Sequence, residues 1–438
     1  MMPRKDKFRA GLCVFAVSTL ACAAADWPHW RGPHFNGSTE ETNLPTRWSP
    51  TNNIVWKTPL PGQAASTPVI SGDMVFLTSP DENKDLLLLA LDRRTGAERW
   101  RKKVASGGGN KGRNNDASPS PCTDGRTVVA MFATGDVAAF DVSGRRLWSR
   151  NLAGDFGGLA YMWIYGASPL LHGERLYIPM LQCNPVPPSY THALQGGTNR
   201  ESFLLCVDPA TGKDLWRHVR KTAAVGESQE SYTTPIPRPV GTGIEILLFG
   251  ANHLTAHNPA NGREIWRSPD LNPRRVKWWR VVPSPLVTKD VVVVCGPKRE
   301  PVFGITPGNS RLAGTVAWQE AEPASDCTTP LFYQDRLFVL DGDRQDIARL
   351  DPKTGARLWT GNLGVREIFR ASPLGADHKV YCLGESGTVV VLAAGDEFKI
   401  LATNPAFPGE APVRSSLVAA HGRLFMRTAK HLVCIGTD

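Results

Sequence analysis

The sequence has no C-x-x-C-H, no H-E-x-x-H, no G-x-S-x-G and no Walker A loop. Covalent c-type haem, a zincin centre, a nucleophile elbow and a P-loop are therefore excluded as motifs. No long stretch carries a 3.6-residue apolar rhythm, which argues against a helical bundle. Glycine lacks a three-residue period, so collagen is out. Basic runs and zinc-finger spacing are also missing, so a nucleic-acid partner is not expected. What the 438 residues do hold is 41 Gly, 35 Pro and 13 Trp, with 21% charged and 41% hydrophobic residues. That composition is foldable and rich in turns, as an all-β chain requires.

The N-terminus has the plan of a secretory signal peptide over residues 1–25. Arg4, Lys5, Lys7 and Arg9 precede the uncharged stretch Ala10–Ala25, which ends in Ala23-Ala24-Ala25. The apolar run is short for a membrane span, and none is expected. Export to a periplasmic or extracellular location follows. Thr19-Leu20-Ala21-Cys22 resembles a lipoprotein box, but Thr19 stands where Leu is usual, so a lipid anchor is the weaker reading. The signal carries +3 of the formal +9, leaving a mild +6. Seven cysteines follow Cys22, an odd number that cannot all pair within one chain. Cys206, Cys295, Cys382 and Cys434 sit in apolar runs and read as small buried hydrophobes.

Beyond residue 50 one phrase recurs: an apolar strand, a turn with Gly, three residues, then Trp. It ends at Trp100, Trp148, Trp216, Trp266, Trp318 and Trp359, with a seventh copy near Ile400 or Leu401. A second phrase, Ser or Thr usually followed by Pro, opens each unit at Thr67, Ser120, Ser168, Thr234, Ser284, Thr329, Ser372 and Ser416. Spacings of 43–66 residues are those of propeller blades. The expectation is an all-β, eight-bladed β-propeller with four-stranded blades over residues 50–438. The last unit lacks its outer strand, and Asn53–Lys57 supplies one from the other end, so Trp56 becomes the Trp of blade eight and closes the ring. The seven tryptophans are expected to dock blade on blade. Residues 26–49, a Trp-rich leader, are expected to lie over the surface.

The units resemble the quinoprotein-type (PQQ-like) repeat, A-x-D-x-x-T-G-x-x-x-W. Ala90, Asp92, Thr95, Gly96 and Trp100 match it fully, and the resemblance spans essentially the whole mature chain. It implies the fold, and it leaves function open between quinoprotein dehydrogenases and non-catalytic envelope assembly lipoproteins. A dehydrogenase of this kind would hold PQQ with calcium beneath adjacent cysteines. No Cys-Cys pair is present and the metal ligands cannot be placed, so no cofactor and no metal site is assigned.

In such a ring the outer-to-inner connections between blades share one face with the long hairpins, including the insertion Gln182–Glu201. These loops present Arg113, Asn114 and Asp116; Tyr161, Trp163 and Tyr165; Glu227, Glu230 and Tyr232; Trp278, Trp279 and Arg280; and Asp326, Arg366, Arg370 and Arg414. Aromatics offer stacking area and arginines forked donors, which suits a small acidic or sugar-like ligand. The competing reading is a funnel plugged by internal pairs such as Arg280 with Glu230. Gly107–Arg113 reads as a flexible loop, and Asp341-Gly342-Asp343 with Asp346 as a hairpin turn. His253 and His257 fall on one strand, about 13 Å apart. The leading functional expectation is a monomeric binding scaffold with an envelope protein partner. A PQQ oxidoreductase and a carbohydrate binder using Trp163, Trp278 and Trp279 as platforms are the alternatives.

Overall fold

β-Branched and leucine-rich runs of five to eight residues, cut by Gly and Asp turns, have no option but to pair with their neighbours. In the computed structural model, which describes residues 25–190 and 200–437, they do so as eight four-stranded antiparallel sheets. Blade one is typical: Val69–Ser71, Met74–Pro80, Asp85–Asp92 and Glu98–Ser106 follow one another from the centre outward. The middle strands are buried along nearly their whole length, as sheets packed on both faces must be. The signal-peptide expectation lies outside the described residues except for Ala25. Among the described residues no helix is long and apolar enough to cross a membrane.

Blade eight is built from Val418–Ala420, Arg423–Arg427 and His431–Ile435, and its outermost strand is Ile54–Pro59. Trp56 stands opposite Cys434 in that pairing. The two ends of the repeat array are thus joined by a strand ladder.

The Ser and Thr residues that open the units form a second closure. The hydroxyl of Ser120 accepts the backbone N–H of Thr67, Ser168 that of Ser120, and Thr234 that of Ser168. The pattern continues through Ser284, Thr329, Ser372 and Ser416 and returns to Thr67. All eight bonds are 2.8–3.2 Å long, and they circle the central channel without a gap. Each satisfies a buried N–H at the start of an innermost strand, where the ladder offers no partner.

On the outer strands the tryptophans dock on the next blade. The indole N–H of Trp56, Trp100, Trp148, Trp216 and Trp318 donates to the carbonyl of Arg93, Val142, Pro209, Pro259 and Pro352 respectively. Each acceptor directly follows the repeat Asp or Asn. That Asp holds the turn: Asp92 accepts from the N–H groups of Arg94 and Thr95 and from the Thr95 hydroxyl. The turn glycine has positive φ, and the indole also lies on it. A Cβ at Gly262 would meet Trp216 Cε3 at 2.3 Å. Two positions differ. Trp266 donates to Glu245 instead, and the Trp359 N–H has no partner among the described residues, while its ring packs on Phe398 in the degenerate seventh unit. Across the sheet, Ala90, Ala139, Cys206, Ala256, Gly304 and Cys434 face a tryptophan, so small residues make room for the indole. Replacing Trp100 by Phe keeps the ring but strands the Val142 carbonyl. A loss of about 1 kcal/mol is expected, larger than for Trp359→Phe, as read from chemical denaturation midpoints.

The leader does not lie over the surface. Trp27 pairs with Ile70, and Trp27, Leu44 and Trp48 join the core of blades one, seven and eight. Arg31, 3% exposed, donates to the carbonyls of Pro330 and Pro373, one residue past the ring members Thr329 and Ser372. The leader therefore enters the channel from the face of short turns and closes it. Burying so much tryptophan surface, and finding acceptors for a guanidinium, is what draws the segment inward.

Candidate functional site

Above the hydroxyl ring, on the loop-rich face, the described residues enclose a cavity of ≈ 260 Å³. Ser120, Ser168 and Thr234 form its lower wall and Trp30 of the leader lines it from beneath. Arg113, Trp163, Arg280, Asp326 and Arg370 come from the loops entering blades two, three, five, six and seven. The channel is thus open above the ring and blocked below it.

Ion pairs fix the arginines. Arg280 contacts Glu227 at 3.3 Å and Asp326 at 3.8 Å, and its Nη1 has no hydrogen-bond partner among the described residues. Arg370 pairs with Asp343, and its Nη1 reaches Cys327 Sγ at 4.0 Å. Arg113 pairs with Glu385 at 2.9 Å, and Arg414 donates to the Arg113 carbonyl at 2.8 Å. The anticipated pairing of Arg280 with Glu230 does not occur. Arg366 is exposed, and it does not line the cavity.

Trp163 is 37% exposed; its indole N–H donates to Glu227 at 2.8 Å and Lys111 sits over its ring at 5.9 Å. Gly112 packs against the same ring. The stretch expected to be a flexible loop is instead a small ribbon, Asn110–Lys111 with Asn114–Asn115, whose tip carries Gly112 and Arg113 into the cavity wall. Asp116 holds that ribbon by accepting the Gly109 N–H at 2.7 Å.

Three further expectations are corrected. Trp279 is 1% exposed and packs edge-on against Phe249, so it is core and cannot form a platform with Trp278. Tyr165 is 1% exposed, its hydroxyl spent on the Pro179 carbonyl at 2.9 Å. Glu230 is fully buried rather than funnel-facing. It accepts from Met162 N–H at 2.9 Å, from Tyr232 at 2.8 Å and from Tyr190 of the blade-three insertion. Burial pushes its carboxyl up to about 7, against the pull of those three donors. Cys327 lines the cavity, but burial pushes its thiol up to about 12, which makes it an inert wall group.

Sequence reading missed Trp30, because nothing in a leader motif says that its side chain enters a channel. It also missed the cluster around Trp278, although Asn272–Arg280 interleaves Arg274, Arg275 and Lys277 with Trp278.

Ring closure, Asp-capped turns and Trp-on-Gly docking together define a propeller of the quinoprotein-repeat class. The chain belongs to the family described as outer membrane protein assembly factor BamB, whose model matches residues 38–178, 200–341 and 251–437. The fold is shared with BamB from Moraxella catarrhalis (14% identity, 88% of this chain and 97% of that one, TM-score 0.59). It is shared equally with a quinohemoprotein alcohol dehydrogenase from Pseudomonas putida (12%, 94% and 81%, TM-score 0.61). The computationally designed Ika8 protein is a third (12%, 88% and 100%, TM-score 0.58). No curated protein matches in sequence.

Proposed function

We propose that this protein is an exported binding scaffold of the cell envelope that docks an acidic protein segment on its loop-rich face. The observation that carries the reading is the surface around Trp278. That indole is 42% exposed, with Lys298 over its ring at 5.6 Å. Arg274, Arg275, Lys277 and Arg299 lie exposed on the same pair of loops. Of these cations only Arg274 is ion-paired among the described residues, with Glu300 at 2.6 Å. An exposed aromatic within unpaired positive charge is what a protein hot spot for an acidic partner needs. The family's description and the N-terminal signal pattern support an envelope setting.

The dehydrogenase reading fits the residues poorly. A cavity of ≈ 260 Å³ suits one small ring system better than a fused tricyclic tricarboxylate with its cation. Among the described residues no three His, Cys, Asp or Glu side chains cluster as metal ligands, and Cys327 has no neighbouring cysteine.

Trp278→Ala combined with Lys298→Ala should weaken cross-linked capture of an acidic protein partner from envelope extract by about 30-fold, the scale of one hot spot. Raising salt should weaken the wild-type contact as well. Leu215→Ala, on the outer rim, serves as the control. Undiminished capture by the double variant overturns the reading.

A further inference from the structure

We propose that the channel cavity is a binding site for a small aromatic monocarboxylate, and that the leader, through Trp30, is part of it. This goes beyond the docking surface at Trp278 and does not depend on it.

Three arginines and one aspartate line the cavity, contributed by loops from different blades. Glu385, Glu227 and Asp343 each engage one edge of a guanidinium from behind the wall. A guanidinium has five N–H donors, so each fork keeps capacity. Arg113 is paired through Nε alone, and its side chain is 49% exposed. Arg280 Nη1 is buried and has no hydrogen-bond partner among the described residues. A carboxylate accepts from such forks in a planar, two-bond geometry. Trp30, Trp163, Val282 and Tyr232 supply the apolar and aromatic part of the lining, beside the polar side chains of Asn114, Ser118, Ser120, Ser168 and Thr234. The cavity lies just below the usual range for drug-sized ligands, which limits the body to about one ring system. An aromatic ring bearing one carboxylate matches the guanidinium donors, the aromatic part of the walls and the volume together.

Trp30 gives the site its second property. Arg31 anchors the leader in the channel, so the indole next to it is held from the turn face while every other wall comes from the loop face. A site built from both faces requires the leader to be seated before ligand binds.

The probes are indole-3-carboxylate and indole-3-carboxamide, titrated calorimetrically into the full mature protein. The carboxylate should bind, and the amide about tenfold or more weaker, since one charge-assisted contact is worth at least that factor. Arg113→Gln, on an exposed side chain, and Trp30→Ala should each weaken the carboxylate by about tenfold. Circular dichroism and the denaturation midpoint confirm folding, and Trp163→Ala provides a second aromatic test if Trp30→Ala unfolds. Equal binding of acid and amide, no binding at millimolar concentration, or affinity indifferent to Arg113 and both tryptophans overturns the proposal. Partner capture at Trp278 should be unchanged in Arg113→Gln, which separates failure of this site from failure of the scaffold reading.

Discussion

Replacing Arg427 by methionine is expected to cost about 3 kcal/mol or more, since three buried carbonyls lose a donor at about 1 kcal/mol or more each. Arg427 belongs to the last blade and is 1% exposed. Its Nη1 donates to the carbonyls of Thr78 at 2.6 Å and Ser66 at 3.2 Å, and its Nη2 to that of Gly62 at 3.2 Å. All three acceptors belong to the first blade or to the segment leading into it. Methionine fills the volume but leaves those carbonyls unpaired in a dry interior. Burial already pulls the guanidinium down to about 9, so the folded state bears a desolvation cost that these bonds offset. Arg220 provides the comparison. It makes the same kind of stitch from blade three to blade four, donating to Gly250 and Thr255. If both variants lose similar stability in guanidinium titrations, the closing seam is no weaker than an internal one. A loss below about 1 kcal/mol for Arg427→Met would show that water reaches those carbonyls.

The second large effect is a pH dependence centred on Glu230. Its carboxyl stands near 7 in the fold and near 4.5 when unfolded. A carboxyl raised in the native state binds more protons there than in the unfolded chain. Its stabilising contribution is therefore complete below about pH 4.5 and is lost as pH rises through 7. The shift of roughly 2.5 units corresponds to about 3 kcal/mol. Glu230→Gln removes the titration. The stability of wild type minus that of the variant should fall by about this amount between pH 4.5 and pH 8, in urea midpoints measured in parallel. Glu227 and the tyrosines Tyr161, Tyr190 and Tyr232 face the group and remain in both proteins, so the difference isolates Glu230. A flat difference would mean that the three donors hold the carboxylate charged throughout.

The blades were legible because each repeats a local rule. A turn that needs positive φ asks for Gly, a cap asks for Asp, and the docking indole asks for a small residue across the sheet. Those demands recur from unit to unit, and Ile54–Pro59 was recoverable because the last copy lacked one part. The site was less legible because its loops obey no period. Trp278 and Trp279 are adjacent and similar in sequence, yet one is exposed and the other is core. Which acid an arginine meets depends on how eight irregular loops converge, so Arg280 found Glu227 and Asp326 rather than Glu230. The leader could be recognised as Trp-rich, but its depth depends on acceptors for Arg31 that lie 299 and 342 residues away in the chain.

The hydroxyl ring has a consequence for electrostatics on the channel axis. All eight N–H groups point the same way round, each toward the next blade. Dipoles laid tangentially on a circle are perpendicular to the line joining each to the axis, so their potentials vanish there. This is the opposite of a helix terminus, where aligned N–H groups sum to a pole. The ring is thus a mechanical hoop that is electrically silent along its centre. The field an anion would meet on that axis therefore comes from groups other than the ring N–H, and substitution in the loops can change it without disturbing the hoop that holds the blades.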